Sequence, residues 1–310
     1  MYKRQVALLA IPCDTGAGIV RGAAWGPAAI RAGLGQAPVM DLGDVFCVPH
    51  LLDDEMCSAS QLARSRDVVY AHRPPELRVA RAVSALSIAA RVYRILARLC
   101  PGTRVMMLGG DHSVSWPVMD ALLSRDPADN ADVGIVHFDA HTDLLPERLG
   151  VPYCFATWAY HANERLGRGE RMIQLGIRAS GRGRGHWEED LGVRQIWAKE
   201  ARAMTPEALA TLTVAHLHER GLRRIYVSND IDGTDARWAA ACGTPEPGGL
   251  TREHVEAVLH GLRGQFDLIG ADLVELAPGL SLDPALAQAS VDTAVRYTRA
   301  SIELLGSPRE

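Results

Sequence analysis

Six short runs rich in aliphatic residues constrain the fold more than any other feature: QVALLAIP (5–12), RVMMLGG (104–110), DVGIVHFDAH (132–141), RMIQLGIR (171–178), RRIYVSND (223–230) and FDLIGADLVEL (266–276). Their apolar residues are continuous rather than alternating with polar ones. A strand wetted on one side alternates, so a continuous run needs apolar cover on both faces. The segments between the runs can provide that cover. ELRVARAVSALSIAARVYRILARLC (76–100), TPEALATLTVAHLHERG (205–221) and TREHVEAVLHGLRG (251–264) read as helices, the last two opening on cap signals at Thr205 and Thr251. Strand and helix in turn along the chain predict an α/β fold around a mainly parallel sheet. No linker, repeat or low-complexity tract divides it, so residues 1–310 read as a single domain. Residues 44–75 are irregular and read as a surface excursion.

A chain of 310 residues can bury roughly three quarters of its surface without a disulfide staple. The six cysteines are scattered singly, which predicts free thiols and a reducing cytoplasm. The apolar run at the N-terminus is too short for a signal peptide or a membrane span and reads as the first strand. A net charge of −4 and a pI near 6.3 argue against nucleic acid or an anionic membrane as partner. The one basic cluster, RASGRGRGHW (178–187), reads as a solvated loop.

Ligands of an open parallel sheet gather beyond the carboxyl ends of its strands. The run 104–110 is followed by His112, the run 132–138 by Asp139, His141 and Asp143, and the run 223–228 by Asp230 and Asp232. In extended chain, residues two apart face the same way, so the alternate spacing would aim these side chains at one object. Two imidazoles and four carboxylates are too many for one ion and suit a binuclear centre, with metals roughly 3.5–4 Å apart. Oxygen-rich ligands with imidazole and no thiolate favour Mn²⁺ or a relative. Water activated between two such ions is a nucleophile near neutral pH, which points to hydrolysis.

Taken with their surroundings, these motifs resemble the arginase/agmatinase (ureohydrolase) family. GGDHS (109–113), DAHTD (139–143) and SNDIDGTD (228–235) are similar to its three metal motifs. IPCDTGAGIVRGAAWGPAAIRAGL (11–34), QLGIR (174–178), GTPEPGGLT (243–251) and ADLVELAP (271–278) resemble four further family segments in order. The resemblance implies a three-layer α/β/α fold holding a Mn²⁺ pair. His112, Asp139, Asp143 and Asp230 would bind one ion. Asp139, His141, Asp230 and Asp232 would bind the other, with Asp139 and Asp230 bridging. It implies attack on a guanidinium carbon, collapse to urea and an amine, and Glu275 as the acid that hydrogen-bonds the guanidinium. A homo-trimer or homo-hexamer is also implied.

The chain departs from the family pattern after DAHTD, where relatives carry a His-Gly pair before a Thr. If Thr157 is that Thr, Phe155 and Ala156 take the two positions. The proton shuttle is then missing, displaced to His161 or replaced by Cys154. With Asp143 and Glu275, His161 completes the expected catalytic set. Acids that would hold an α-amino group are absent after GIR, so L-arginine is not the first expectation. Tyr153, Phe155 and Trp158, with Trp116, form the expected aromatic wall of a substrate pocket. The reading is a hydrolase of a small agmatine-like compound or guanidino acid. Hydrolysis of another amidine (formimino or N-hydroxyguanidine) and a non-catalytic binding role stand as alternatives.

Overall fold

The computed structural model describes residues 5–37 and 39–307; the remainder of the expected 1–310 domain lies outside the described residues. Eight strands form one sheet: β1 Val6–Ile11, β2 Met40–Asp44, β3 Arg104–Gly109, β4 Val133–Phe138, β5 Met172–Ile177, β6 Arg194–Trp197, β7 Arg224–Asp230 and β8 Asp267–Val274. They lie in the order β2-β1-β3-β8-β7-β4-β5-β6, and every pairing is parallel. The six expected runs are β1, β3, β4, β5, β7 and β8. The two strands that the apolar pattern does not reveal, β2 and β6, are the sheet's edges. β2 has no buried residue and β6 only four residues, because an edge strand neither needs nor can hide a long apolar run.

Alternate strand residues feed two separate cores. Leu8, Met106, Leu108, Val136, Phe138, Ile173 and Val227 pack on one face against α1 (Gly26–Leu34), α7 (Pro206–Glu219), α8 (Arg252–Gly261) and α9 (Pro284–Leu305). Leu9, Ile11, Val105, Met107, Ile135 and Met172 pack on the other against α3 (Ala85–Leu99), α4 (Ser115–Leu122) and α5 (Trp158–Leu166). This is the α/β/α sandwich, with both faces covered as the continuous runs require. Among the described residues no helix is long and apolar enough to cross a membrane, and all six cysteines are unpaired.

The Thr205 and Thr251 hydroxyls cap α7 and α8 by accepting from Ala208 N and His254 N. The expected helix 76–100 begins only at Ala85. Asp54 of the 44–75 excursion pulls the preceding turn away: its Oδ1 accepts from Val83 N, Ser84 N and Ser84 Oγ at 3.2, 3.0 and 2.6 Å. The rest of that excursion includes α2 (Ala59–Val69), a helix with no buried residue, and α6 (Ala198–Ala201) follows β6.

Candidate metal centre

The four central strands β3, β8, β7 and β4 end on the same edge, and three of them lead into the expected ligands. Backbone packs directly on backbone here. A Cβ on Gly110 would sit 1.9 Å from the Cys13 carbonyl oxygen, and one on Gly233 2.7 Å from Asp139 N. Only glycine permits either approach, and the second draws the Asp139 and Asp232 loops together.

The alternate spacing works through turns and not, as expected, through extended chain, since β4 stops at Phe138 and Ile231–Gly233 is a 3-10 turn. Asp139 Oδ1 accepts from His141 N at 2.6 Å and Asp230 Oδ1 from Asp232 N at 2.8 Å. Such Asx turns fold the chain back after each strand. Asp232 Oδ1 accepts from Ala140 N at 3.0 Å. Each of these carboxylates thus commits one oxygen to the backbone and leaves Oδ2 for the centre.

There the side chains converge. His112 Nδ1 lies 3.1, 3.2 and 3.4 Å from Oδ2 of Asp230, Asp143 and Asp139. His141 Nδ1 lies 3.1 Å from Asp232 Oδ2 and 3.5 Å from Asp139 Oδ1. Donor atoms within 4.8 Å of one another form two groups, His112, His137, Asp139 and Asp143, and Asp139, His141 and Asp232. Asp139 belongs to both, and Asp230 joins the first group through His112.

The hydrogen-bond network sets both imidazole tautomers. Ser228 Oγ gives its proton to Asp272 Oδ1 at 2.8 Å, so it accepts from His112 Nε2 at 3.0 Å. Nδ1 is then the His112 nitrogen that faces three carboxylates, a set of donor atoms that suits a cation between them. Gln174 Nε2 donates to His137 Nδ1 at 3.0 Å, so His137 Nε2–H donates to Asp139 Oδ2 at 2.8 Å. His137 thus orients a ligand and is not one itself. Gln195 Nε2 donates to Gln174 Oε1 and Trp197 Nε1 to Gln195 Oε1, at 2.8 and 2.9 Å, extending the relay. Partners of this kind typically contribute about 10–100-fold in metal affinity. His137→Ala and Gln174→Leu are each expected to weaken divalent-metal binding by that factor in titration calorimetry, and unchanged affinity would reduce the relay to packing.

The electrostatics agree. Burial raises the carboxyl pKa of Asp143 and, more strongly, of Asp230, with Asp139 repelling the former and Asp232 and Asp139 the latter. Burial opposes the charge on Asp139 too, but His112, His137 and His141 hold it well below the carboxylate range. His141 is pushed up to about 12: Asp139 and Asp232 outweigh its desolvation. So many carboxylates, almost wholly buried, fit a pair of divalent cations in oxygen and imidazole ligation.

Glu275 follows β8 with φ 65°, and Asp143 has φ 52°. Left-handed backbone in residues other than glycine costs about 1–3 kcal/mol and clusters at functional sites. Glu275 Oε1 accepts from His112 N at 2.8 Å. Burial, then Asp111, lifts its carboxyl well above the usual range.

A cavity of about 300 Å³ opens over His141, Thr142 and Asp143, and Phe155 lines it. The other aromatic expectations are corrected. Trp158 is fully buried; it stacks on His112 at 4.6 Å and donates from Nε1 to Asp143 Oδ2 at 3.1 Å. Tyr153 faces a different cavity beside Trp116 and donates to Glu55 Oε2. His161, the proposed shuttle, is bonded through Nε2 to the Pro152 carbonyl at 2.7 Å and packs on Trp116, Tyr153 and Tyr160. It does not line the metal cavity. Cys154 lines the neighbouring cavity, and burial raises its thiol, which suits neither a shuttle nor a nucleophile.

Sequence reasoning passed over His137, Gln174, Asp272, Ser228 and Thr244, whose Oγ1 donates to Asp232 Oδ2 at 3.1 Å. For His137, Gln174, Ser228 and Asp272 the signal was a polar residue inside an otherwise apolar strand, since each such group needs a buried partner; Thr244 lies in a loop and gave no such signal.

The arginase family model matches residues 4–299. The chain is 31% identical over 294 residues to a guanidinobutyrase of Pseudomonas aeruginosa, covering 88% of this chain and 79% of that one. It is 30% identical over 292 residues to the mitochondrial agmatinase of Gallus gallus, covering 88% and 74%. The fold matches the arginase from Bacillus subtilis with a TM-score of 0.69 at 19% identity, over 98% of this chain and 99% of that one. With the sheet, the convergent ligands and these matches in agreement, the chain belongs to the arginase family.

Proposed function

We propose that this protein is a manganese-dependent hydrolase that releases urea and an amine from a small guanidino compound. The observation that carries this reading is the pair of overlapping donor groups sharing Asp139, with Glu275 held beside them through His112 N. The guanidinobutyrase and agmatinase relatives support the same chemistry.

His112, Asp139, His141, Asp143, Asp230 and Asp232 would hold the metal pair, Asp139 being common to both donor groups. When bound, a divalent pair lowers the pKa of water toward neutrality and neutralises negative charge as it develops. Glu275 Oε2 lies toward Gly243, where a Cβ would stand 4.0 Å from it and 3.8 Å from the Val20 carbonyl oxygen. A guanidinium there would donate to the Glu275 carboxylate and offset the burial and the Asp111 charge that raise its carboxyl. Asp143, steadied by Trp158 Nε1, holds its other side to the cavity. The whole chain acts as one catalytic unit in this reading.

The test is urea release from agmatine, L-arginine, 3-guanidinopropanoate and 4-guanidinobutanoate by protein loaded with Mn²⁺. Urea from at least one compound, lost in Asp139→Ala, is expected. Two metals per chain and no urea from any compound would defeat the reaction, and no bound metal would defeat the centre. We further read the protein as cytoplasmic, consistent with its unpaired thiols, and as a homo-trimer or homo-hexamer, which would cover exposed apolar side chains such as Val68 at 78% and Val79 at 70% exposure. Light scattering on the same sample would reject this assembly by returning a monomer mass.

A further inference from the structure

Two arginines reach the cavity above the metal ligands with no acid to pair them. Arg148 and Arg182 line it together with His141, Asp143, Phe155 and Trp187. Arg148 hangs from a two-residue hairpin: its N–H donates to Val151 O at 3.0 Å, and Val151 N–H donates back at 2.9 Å. Leu149 and Gly150 between them have φ 54° and 76°, the backbone sign that so tight a hairpin demands at both central positions. Leu149 is 97% exposed, so no burial of its side chain offsets that strain. The Arg148 guanidinium lies 5.3 Å from the Phe155 ring centroid, a stacking that leaves the edge N–H groups free to donate.

The Arg182 loop is pinned as well. Ser180 Oγ donates to the Arg182 carbonyl at 2.7 Å and accepts from Trp187 Nε1 at 2.9 Å. The neighbouring arginines of the same basic segment are engaged elsewhere. Arg178 donates to the carbonyls of Gly176, Asp232 and Glu246, and Arg184 pairs with Glu200. The side chains of Arg148 and Arg182 make no ion pair or hydrogen bond among the described residues.

We propose that Arg148 and Arg182 bind the carboxylate of a guanidino acid, so that the substrate carries an anion at the end away from its guanidinium. This rests on the hydrolase reading above and adds the class of tail it accepts. Planar guanidinium groups match a carboxylate in charge and geometry. A cationic tail, such as the ammonium of agmatine, meets like charge instead. Phe155 offers an apolar wall for the methylenes between the two ends.

The test combines kinetics with ligand binding. With Mn²⁺-loaded protein, kcat/KM for 4-guanidinobutanoate or 3-guanidinopropanoate is expected to exceed that for agmatine by about 100-fold or more, in line with two charge-assisted contacts. Arg148→Gln and Arg182→Gln should each lower it about tenfold or more, mainly through KM. The double variant R148E/R182E should reverse the preference toward agmatine. Independently of turnover, 4-aminobutanoate should raise the melting temperature of the protein, 1,4-diaminobutane should not, and the double variant should lose the effect. Both substitutions lie on exposed loops, and circular dichroism checks that the fold survives. Urea released equally well or better from agmatine would overturn the anionic tail while leaving the hydrolase standing. Urea from no compound would defeat the hydrolase reading instead, and the aminobutanoate arm would still decide the carboxylate site: stabilisation upholds it and none overturns it.

Discussion

Asp230→Asn is expected to abolish urea release while leaving the metal-free protein at least as stable as the parent. Burial and the flanking Asp232 and Asp139 raise the Asp230 carboxyl well above its ordinary range. An acid whose pKa is higher folded than unfolded binds its proton more readily in the fold. It has no effect on stability below the unfolded pKa and destabilises progressively as pH rises through the folded one. At neutral pH the charge therefore works against the fold. Asparagine removes it, keeps the shape and retains an oxygen for Asp232 N, so the melting temperature of chelator-treated protein should hold or rise. Each kcal/mol recovered would add about 2–4 °C. Activity and metal content should fall far beyond the ~10–100-fold that losing a supporting partner costs. Added Mn²⁺ should raise the melting temperature of the parent and not of the variant, since only a bound ligand shifts the folding equilibrium. A variant that melts several degrees lower and still retains both metals would make Asp230 a structural acid.

Asp272→Ala should have the opposite character, with a large loss of stability whether or not metal is present. Asp272 is fully buried. Its Oδ2 accepts from Ser115 Oγ and Tyr226 Oη, both at 2.8 Å, and its Oδ1 from Ser228 Oγ at 2.8 Å and Asn229 N at 3.1 Å. Alanine would strand four donors away from water at about 1–3 kcal/mol each. Some would relax, so a net loss of about 4 kcal/mol is reasonable, toward the extreme end for single substitutions. The midpoint of urea denaturation should drop accordingly and the melting temperature by about 10 °C. Ser228 would then be free to donate to His112 Nε2, which relaxes the constraint on that ligand's tautomer. A loss below about 1 kcal/mol would mean that water replaces the carboxylate, and the network would lose its assigned role.

How much of this was legible beforehand depended on whether a residue's task was written into its neighbours in the chain. Continuous apolar runs marked β1, β3, β4, β5, β7 and β8, because only strands covered on both faces tolerate them. The edge strands left no such mark, β2 being exposed and β6 only four residues long. Asp139, His141, Asp143, Asp230 and Asp232 stand at or just beyond the ends of their strands, and an α/β sheet delivers such positions to one rim whatever the packing details. The local spacing misled only as to means, since Asx turns rather than extended chain bring the alternate side chains round.

Direction was not legible for the aromatic segment. Trp158 and His161 are one helical turn apart on α5, yet Trp158 lies buried under Asp143 while His161 turns to Trp116 and the Pro152 carbonyl. Nothing in the composition of 153–161 states the phase of that helix against the sheet. The same holds for RASGRGRGHW, where a basic cluster reads as solvated loop until Arg178 is found holding loop carbonyls, Arg184 an acid, and Arg182 the cavity wall.

The sequence by itself therefore determined the parallel α/β framework, the rim on which the polar side chains gather and the identities of the candidate metal ligands, because burial pattern and position after a strand are local properties. Tertiary structure alone decided which aromatic lines the cavity, that His137 and Asp272 stand behind the candidate ligands, and that Arg148 and Arg182 line the same cavity. Those outcomes depend on contacts between segments far apart in the chain, and hydrogen-bond partners and side-chain direction exist only once these segments are packed.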